Sequence, residues 1–139
     1  MKSRETLIRL KKFQVDEKRR KVVQIEGMIA EFDRMALDLD REILAEQERA
    51  GIHDPGHFAY PTYAKAAIGR RDNLKRSADE LKVQLEDARA NLAEAFDELK
   101  KIELLDERDQ VRERSVESAR EQAELDRIAS TRARDGIGI

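Results

Sequence analysis

Cysteine is absent, which excludes a disulfide framework and thiolate chemistry and suits a reducing compartment. Tryptophan is absent as well, and aromatic residues make up only 4% of the 139-residue chain, too little bulk for an ordinary globular core. No run approaches the roughly 20 apolar residues of a membrane span. The opening Met-Lys-Ser-Arg-Glu-Thr-Leu-Ile-Arg-Leu is interrupted by charge before a signal-peptide core can form, so a soluble cytoplasmic protein is expected. An excess of one charge is also missing: 28 Lys+Arg against 30 Asp+Glu leave a formal charge of -2 and no global reason to bind nucleic acid.

What the chain does have is charge of both signs, 42% of all residues, with a mean hydropathy of -0.77. Such a balance points either to disorder or to a long helix with a narrow apolar stripe, and the near-equal signs favour the helix. Heptads bear this out from Ile8 onward. With Ile8 at position a, the a line runs Ile8, Val15, Val22, Ile29, Ala36, Ile43, Ala50, and the d line runs Lys11, Lys18, Ile25, Phe32, Leu39, Glu46. Ser3 is a plausible N-cap with Glu5 in the first turn, and Gly51 stands where a C-terminal cap belongs.

Both prolines, both histidines and both tyrosines fall within His53-Asp-Pro-Gly-His-Phe-Ala-Tyr-Pro-Thr-Tyr63. Pro55 and Pro61 cannot occupy a helix interior, because each lacks an N–H and clashes with the preceding turn. Past them a second heptad series runs Ala67, Leu74, Leu81, Ala88, Ala95, Ile102 on d and Arg71, Ala78, Leu85, Leu92, Leu99 on a, then turns polar at Asp106, Asp109 and Glu113. Gly27 and Gly69 both land at f, on the outward face. The fold class is therefore all-α: a long two-helix antiparallel coiled-coil hairpin, a single domain over 1–139, with a helix at about 3–50, a turn at about 51–61 and a helix at about 62–134.

Folding the chain near Phe58 and Ala59 faces Val22 with Ala95, Ile25 with Leu92, Phe32 with Leu85 and Ile43 with Leu74, and sets Lys11 on Asp106 and Glu46 on Arg71. The second helix then overhangs the first, and the Asp135-Gly-Ile-Gly-Ile ending reads as frayed. The paired part measures roughly 70 Å at about 1.5 Å per residue. Two helices alone bury little, so the hairpin should want a partner.

Little in the chain suggests chemistry. His53 and His57 stand four apart, a spacing that presents two imidazoles to a metal on a helix, but Pro55 and Gly56 interrupt it and no third ligand is apparent. No nucleophile triad, glycine-rich phosphate loop or carboxylate pair is present, so no catalytic, cofactor or metal site is expected. Two surfaces stand out instead. At the turn, Phe58, Tyr60 and Tyr63 either plug the open end of the coiled coil or form a docking knob. Near the N-terminus, Leu7, Leu10 and Phe13 lie off the seam at g, c and f beside the basic run Lys18-Arg-Arg-Lys21, which reads as a partner-binding end.

Four segments resemble a known family: Leu10-Lys-Lys-Phe-Gln-Val-Asp-Glu-Lys-Arg-Arg20, His57-Phe-Ala-Tyr-Pro-Thr-Tyr-Ala-Lys-Ala-Ala67, Arg70-Arg-Asp-Asn-Leu-Lys-Arg-Ser-Ala-Asp-Glu-Leu81 and Glu98-Leu-Lys-Lys-Ile-Glu-Leu-Leu-Asp-Glu-Arg108. They look like the flagellar export protein FliJ, of the alphaproteobacterial type. The resemblance implies a non-enzymatic component of the flagellar type III export apparatus, needed for flagellum assembly and motility. Its shape would be similar to the central stalk of rotary ATP synthases, and its place would be the inner face of the cell membrane at the flagellar base. It would bind the hexameric export ATPase FliI through Leu7, Leu10, Phe13, Lys18, Arg19, Arg20 and Lys21 of the first helix and Arg108, Arg112 and Arg114 of the second. The export gate protein FlhA would meet Phe58, Tyr60, Tyr63, Ala67, Arg70 and Leu74. Escort of export chaperones is left open, nucleic acid is not expected, and the free chain should be a monomer. The rival reading is a generic structural coiled coil that self-associates to bury its seam.

Overall fold

In a computed structural model, which describes residues 2–137, the chain forms two α-helices and, among those residues, no strand. Helix α1 spans Lys2–Ala50 and helix α2 spans Thr62–Ile137; the two pack against each other as an all-α hairpin. Each helix begins and ends for local reasons. Glu5 sits in the first turn of α1, where a carboxylate meets the positive end of the helix dipole. Gly51 then adopts φ 71° and donates its N–H to the Gln47 carbonyl at 2.9 Å, the left-handed cap that glycine adopts without a Cβ penalty. On the far side of the turn the Pro61 carbonyl accepts from Lys65 N–H at 3.1 Å and opens α2. Asp135 and Gly136, read as frayed, belong to α2; Gly138 and Ile139 lie outside the described residues.

The chain divides into two units, each built from both helices. One is Lys12–Phe96 with the turn, and it holds most of the core. Val22 and Ile25 of α1 share a buried cluster with Leu81, Leu85 and Ala88 of α2, with Ile29, Phe32 and Leu92 packed on it. A second cluster joins Leu39 and Ile43 to Ala67, with Ile68 and Leu74 alongside. Every one of these is a seam residue of the heptads except Ile68, so the period-seven pattern selects the buried stripe. The other unit comprises residues 2–11 and 97–137. There Leu99 is buried, Ile8 and Ile102 are half-buried, and α1 meets α2 through Arg4–Asp109 and through Lys11–Glu98 at 3.0 Å.

Those ion pairs correct the expected register. Lys11 reaches Glu98, not Asp106, whose carboxylate instead accepts from Gln110 at 2.9 Å. Arg71 reaches Asp40 at 3.0 Å, not Glu46, which pairs with Arg49 inside α1 at 2.8 Å. The pairing is displaced by about one heptad along α2. The cause lies in the turn: with α1 ending at Ala50 and α2 starting at Thr62, the fold-back point falls at Gly56, not at Phe58 and Ala59. Moving that point moves the facing residue by twice as much, so a shift of about two to three residues in the turn becomes about five in the seam, most of a heptad.

Candidate functional site

The turn holds its shape through its own polar groups. Asp54 Oδ1 accepts from Gly56 N–H at 2.9 Å, and the Asp54 carbonyl accepts from His57 N–H at 3.0 Å. His57 Nδ1 accepts from Ala59 N–H at 3.0 Å, while its ring stacks on Phe58 with centroids 4.7 Å apart. The three aromatic side chains take separate roles. Tyr60 is buried and its hydroxyl accepts from Gln47 Nε2 at 2.8 Å, which plugs the open end of the seam. Phe58 is 97% exposed on the rim of the turn. Tyr63 lies half-exposed on α2 and donates its hydroxyl to Glu42 at 2.6 Å, an acceptor that holds the phenol above its ordinary pKa.

Of the six residues expected to face the export gate, Tyr63, Arg70 and Leu74 line one open groove with Met35, Leu39 and Glu42. Ala67 is buried under that groove against Leu39 and Ile43, and Tyr60 is buried in the end plug, so neither offers surface. Phe58 is exposed but lies outside the groove lining. Met35 and Glu42 were not singled out from the sequence. Their signal was present, since both sit off the a and d lines of α1 next to seam residues, but it becomes legible only when the opposite helix is placed.

The ten residues expected to face an ATPase ring are divided between the two units. Leu7, Leu10, Arg108, Arg112 and Arg114 belong to the unit of residues 2–11 and 97–137, where Leu7 is 40% and Leu10 48% exposed. Arg108 and Arg112 line a shallow groove with Leu104, Val111 and Val116, and Arg114 Nε donates to the Gln110 carbonyl at 3.4 Å. One side chain missed in the sequence, Arg4, braces this unit against Asp109. The Arg4 guanidinium, hydrogen-bonded to Asp109, is raised above its ordinary pKa, and the same bond holds the Asp109 carboxyl below the usual range. Stepping the d line back one heptad from Lys11 would have found Arg4.

Phe13 and Lys18, Arg19, Arg20 and Lys21 belong to the other unit and are all exposed. Arg19 lies 3.7 Å from Asp16, whose carbonyl also accepts from Arg20 Nε at 3.4 Å. Lys18 and Lys21 line a groove with Glu17 and Asp87, so acids offset the basic run locally. Among the described residues no three His, Cys, Asp or Glu side chains converge as metal ligands, and no helix is long and apolar enough to cross a membrane.

Among the described residues the grooves named above are open ones along the helices, and the class the fold defines is an all-α coiled-coil hairpin protein. The family follows from comparison with known proteins. A family model described as flagellar FliJ protein matches residues 1–136, and the chain belongs to that family. No curated protein and no solved structure gives a significant match. Membership makes this a flagellar export-related protein, associated with the export apparatus, in a family of non-catalytic proteins.

Proposed function

We propose that this chain binds the export ATPase FliI, promotes assembly and activity of its ring, and contacts the export gate protein FlhA, at the inner face of the cell membrane at the flagellar base. The observation that carries the reading is that one unit holds exposed Leu7 and Leu10 on α1 and, on α2, a groove lined by Arg108 and Arg112 with exposed Leu104 and Val111. Leucines of this exposure on both helices, with guanidinium groups among those of α2, have the composition of a protein-binding surface: apolar anchors with arginine. Phe13 and the run Lys18 to Lys21, in the other unit, are the further α1 residues assigned to ATPase binding. For the gate, the surface is the groove of Tyr63, Arg70 and Leu74, with Phe58 as a separate contact from the turn. Ala67 and Tyr60 serve it by supporting the helix pair from inside.

Mixing the chain with the export ATPase and measuring ring assembly and ATP hydrolysis tests the first half. Stimulation that saturates with added chain is expected; no effect at saturating concentration sinks the reading. Leu7→Ala with Leu10→Ala should lower the stimulation at least about tenfold, as loss of anchor residues does, with an unchanged melting curve. Equal stimulation by this variant removes the leucine face from the proposal.

A further inference from the structure

Beyond Asp109 the second helix continues with every side chain from Gln110 to Gly136 exposed. The heptad nevertheless continues. Val116, Ala123 and Ser130 extend the d line, and Arg120, Arg127 and Arg134 extend the a line. An ideal helix drifts only about 20° per heptad, so the three arginines share one stripe with the small side chains between them. The sign of this stripe reverses along α2. Nearer the turn, the same two lines hold Asp106 and Asp109, and Arg4 of α1 meets the latter. Past that point Glu113 is the last acid on these lines, within electrostatic reach of Arg4, and from Arg120 onward the a line holds arginine that α1 does not meet. Arg120 and Arg134 make no ion pair among the described residues, and Arg127 reaches only Glu124 of its own helix.

We propose that residues 116–134 of α2 are a docking face for an acidic amphipathic helix of a partner protein, which extends the coiled coil with apolar side chains against Val116 and Ala123 and carboxylates against Arg120, Arg127 and Arg134. Charge selects this occupant. The overhang of a second copy brings only arginines and small side chains on the same stripe, and α1 of a second copy brings Arg4, Lys11 and Lys18 on its d line, so neither neutralises the guanidinium groups. Nucleic acid reads net positive charge, and Glu117, Glu121, Glu124 and Asp126 cancel it here. A helix, by contrast, places its acids at the heptad spacing of the arginines, and basic side chains flanking its own seam meet Glu117, Glu124 and Asp126 at the e and g positions here. The stripe adjoins the residues proposed for the ATPase, since Val116 shares a groove with Arg108 and Arg112, but Arg120, Arg127 and Arg134 belong to neither proposed surface, so the peptide test reads them apart from that reading.

The test uses the full chain and a labelled synthetic peptide of about four heptads with Leu at every a and Glu at every d position, followed by fluorescence anisotropy near physiological salt. The Glu peptide should bind about tenfold more tightly than a twin carrying Lys at d, the scale expected of three exposed ion pairs. In R120E/R127E that preference should reverse, with the circular dichroism of the hairpin unchanged. Three results overturn the inference. One is equal binding of a scrambled peptide of the same composition. Another is tighter binding of a single-stranded oligonucleotide than of the Glu peptide. The third is a concentration-dependent doubling of mass in sedimentation that R120E/R127E abolishes, which gives the face to a second copy.

Discussion

Two stretches of α2 have the same helix-forming composition and opposite fates. Residues 62–96 bury Ala64, Ala67, Ala78, Leu81, Leu85, Ala88 and Ala95, whereas residues 110–136 bury nothing. Both are rich in Glu, Arg and Ala, which favour helix locally. The difference is the seam: Leu and Ala at a and d in the first stretch, Glu and Arg at a in the second. Helical backbone therefore reports local propensity here, while stability against unfolding belongs to the stretch with a partner.

Removing matched apolar groups exposes that contrast most strongly. Ile25→Ala, in the cluster with Leu81 and Leu85, should cost about 2–5 kcal/mol in denaturant unfolding. Leu125→Ala, 61% exposed on the unpartnered stretch, should stay within about 0.5 kcal/mol. Comparable losses from both variants would mean that the overhang is packed in solution.

Glycine replacement sharpens the same contrast on a smaller scale. A Cβ at Gly27 or at Gly136 meets nothing within 4 Å, so each alanine removes only the entropic penalty of glycine in a helix. Gly27→Ala should raise the global stability by about 0.5–1 kcal/mol. Gly136→Ala should add local helicity by circular dichroism and leave the melting temperature unchanged, because its segment unfolds without the core.

The smallest expected effect is electrostatic. Asp109 is held below the usual carboxylate range by the Arg4 hydrogen bond, so its contribution is present above the carboxylate pKa of the unfolded chain and is lost as pH falls through the depressed folded value. The protection of amides at residues 2–11, taken relative to their intrinsic exchange rate at each pH, should accordingly fall on acidification below about pH 4. Arg4→Gln should flatten that dependence. An unchanged profile in the variant would show that α1 and α2 are held in this unit without the pair.

Much of the fold was open to reading from the chain. Pro55, Pro61 and Gly51 are local punctuation, and the a and d lines name the buried stripe with no knowledge of the partner helix. Exposure of Leu7, Leu10 and Phe13 followed from their places off that stripe. The register was not readable, because Leu, Ala and Ile repeat every seven residues and satisfy several alignments about equally well. Division of the turn aromatics was equally hidden: Tyr60 and Phe58 stand two apart in one loop, and only the hydrogen bond from Gln47 shows which is inside.

By itself, then, the sequence determined that the protein is helical, where the helices stop and which face each must bury, since these depend on backbone chemistry and on the period of apolar residues. Only the tertiary structure decided which residues meet across the seam: Lys11 with Glu98, Arg71 with Asp40 and Arg4 with Asp109. The physical reason is that a repeating seam is degenerate by whole heptads, and the length of the turn, acting once for the entire pair, removes the degeneracy. The same choice leaves residues 110–136 bare and makes the reversed charge of their stripe available to another chain.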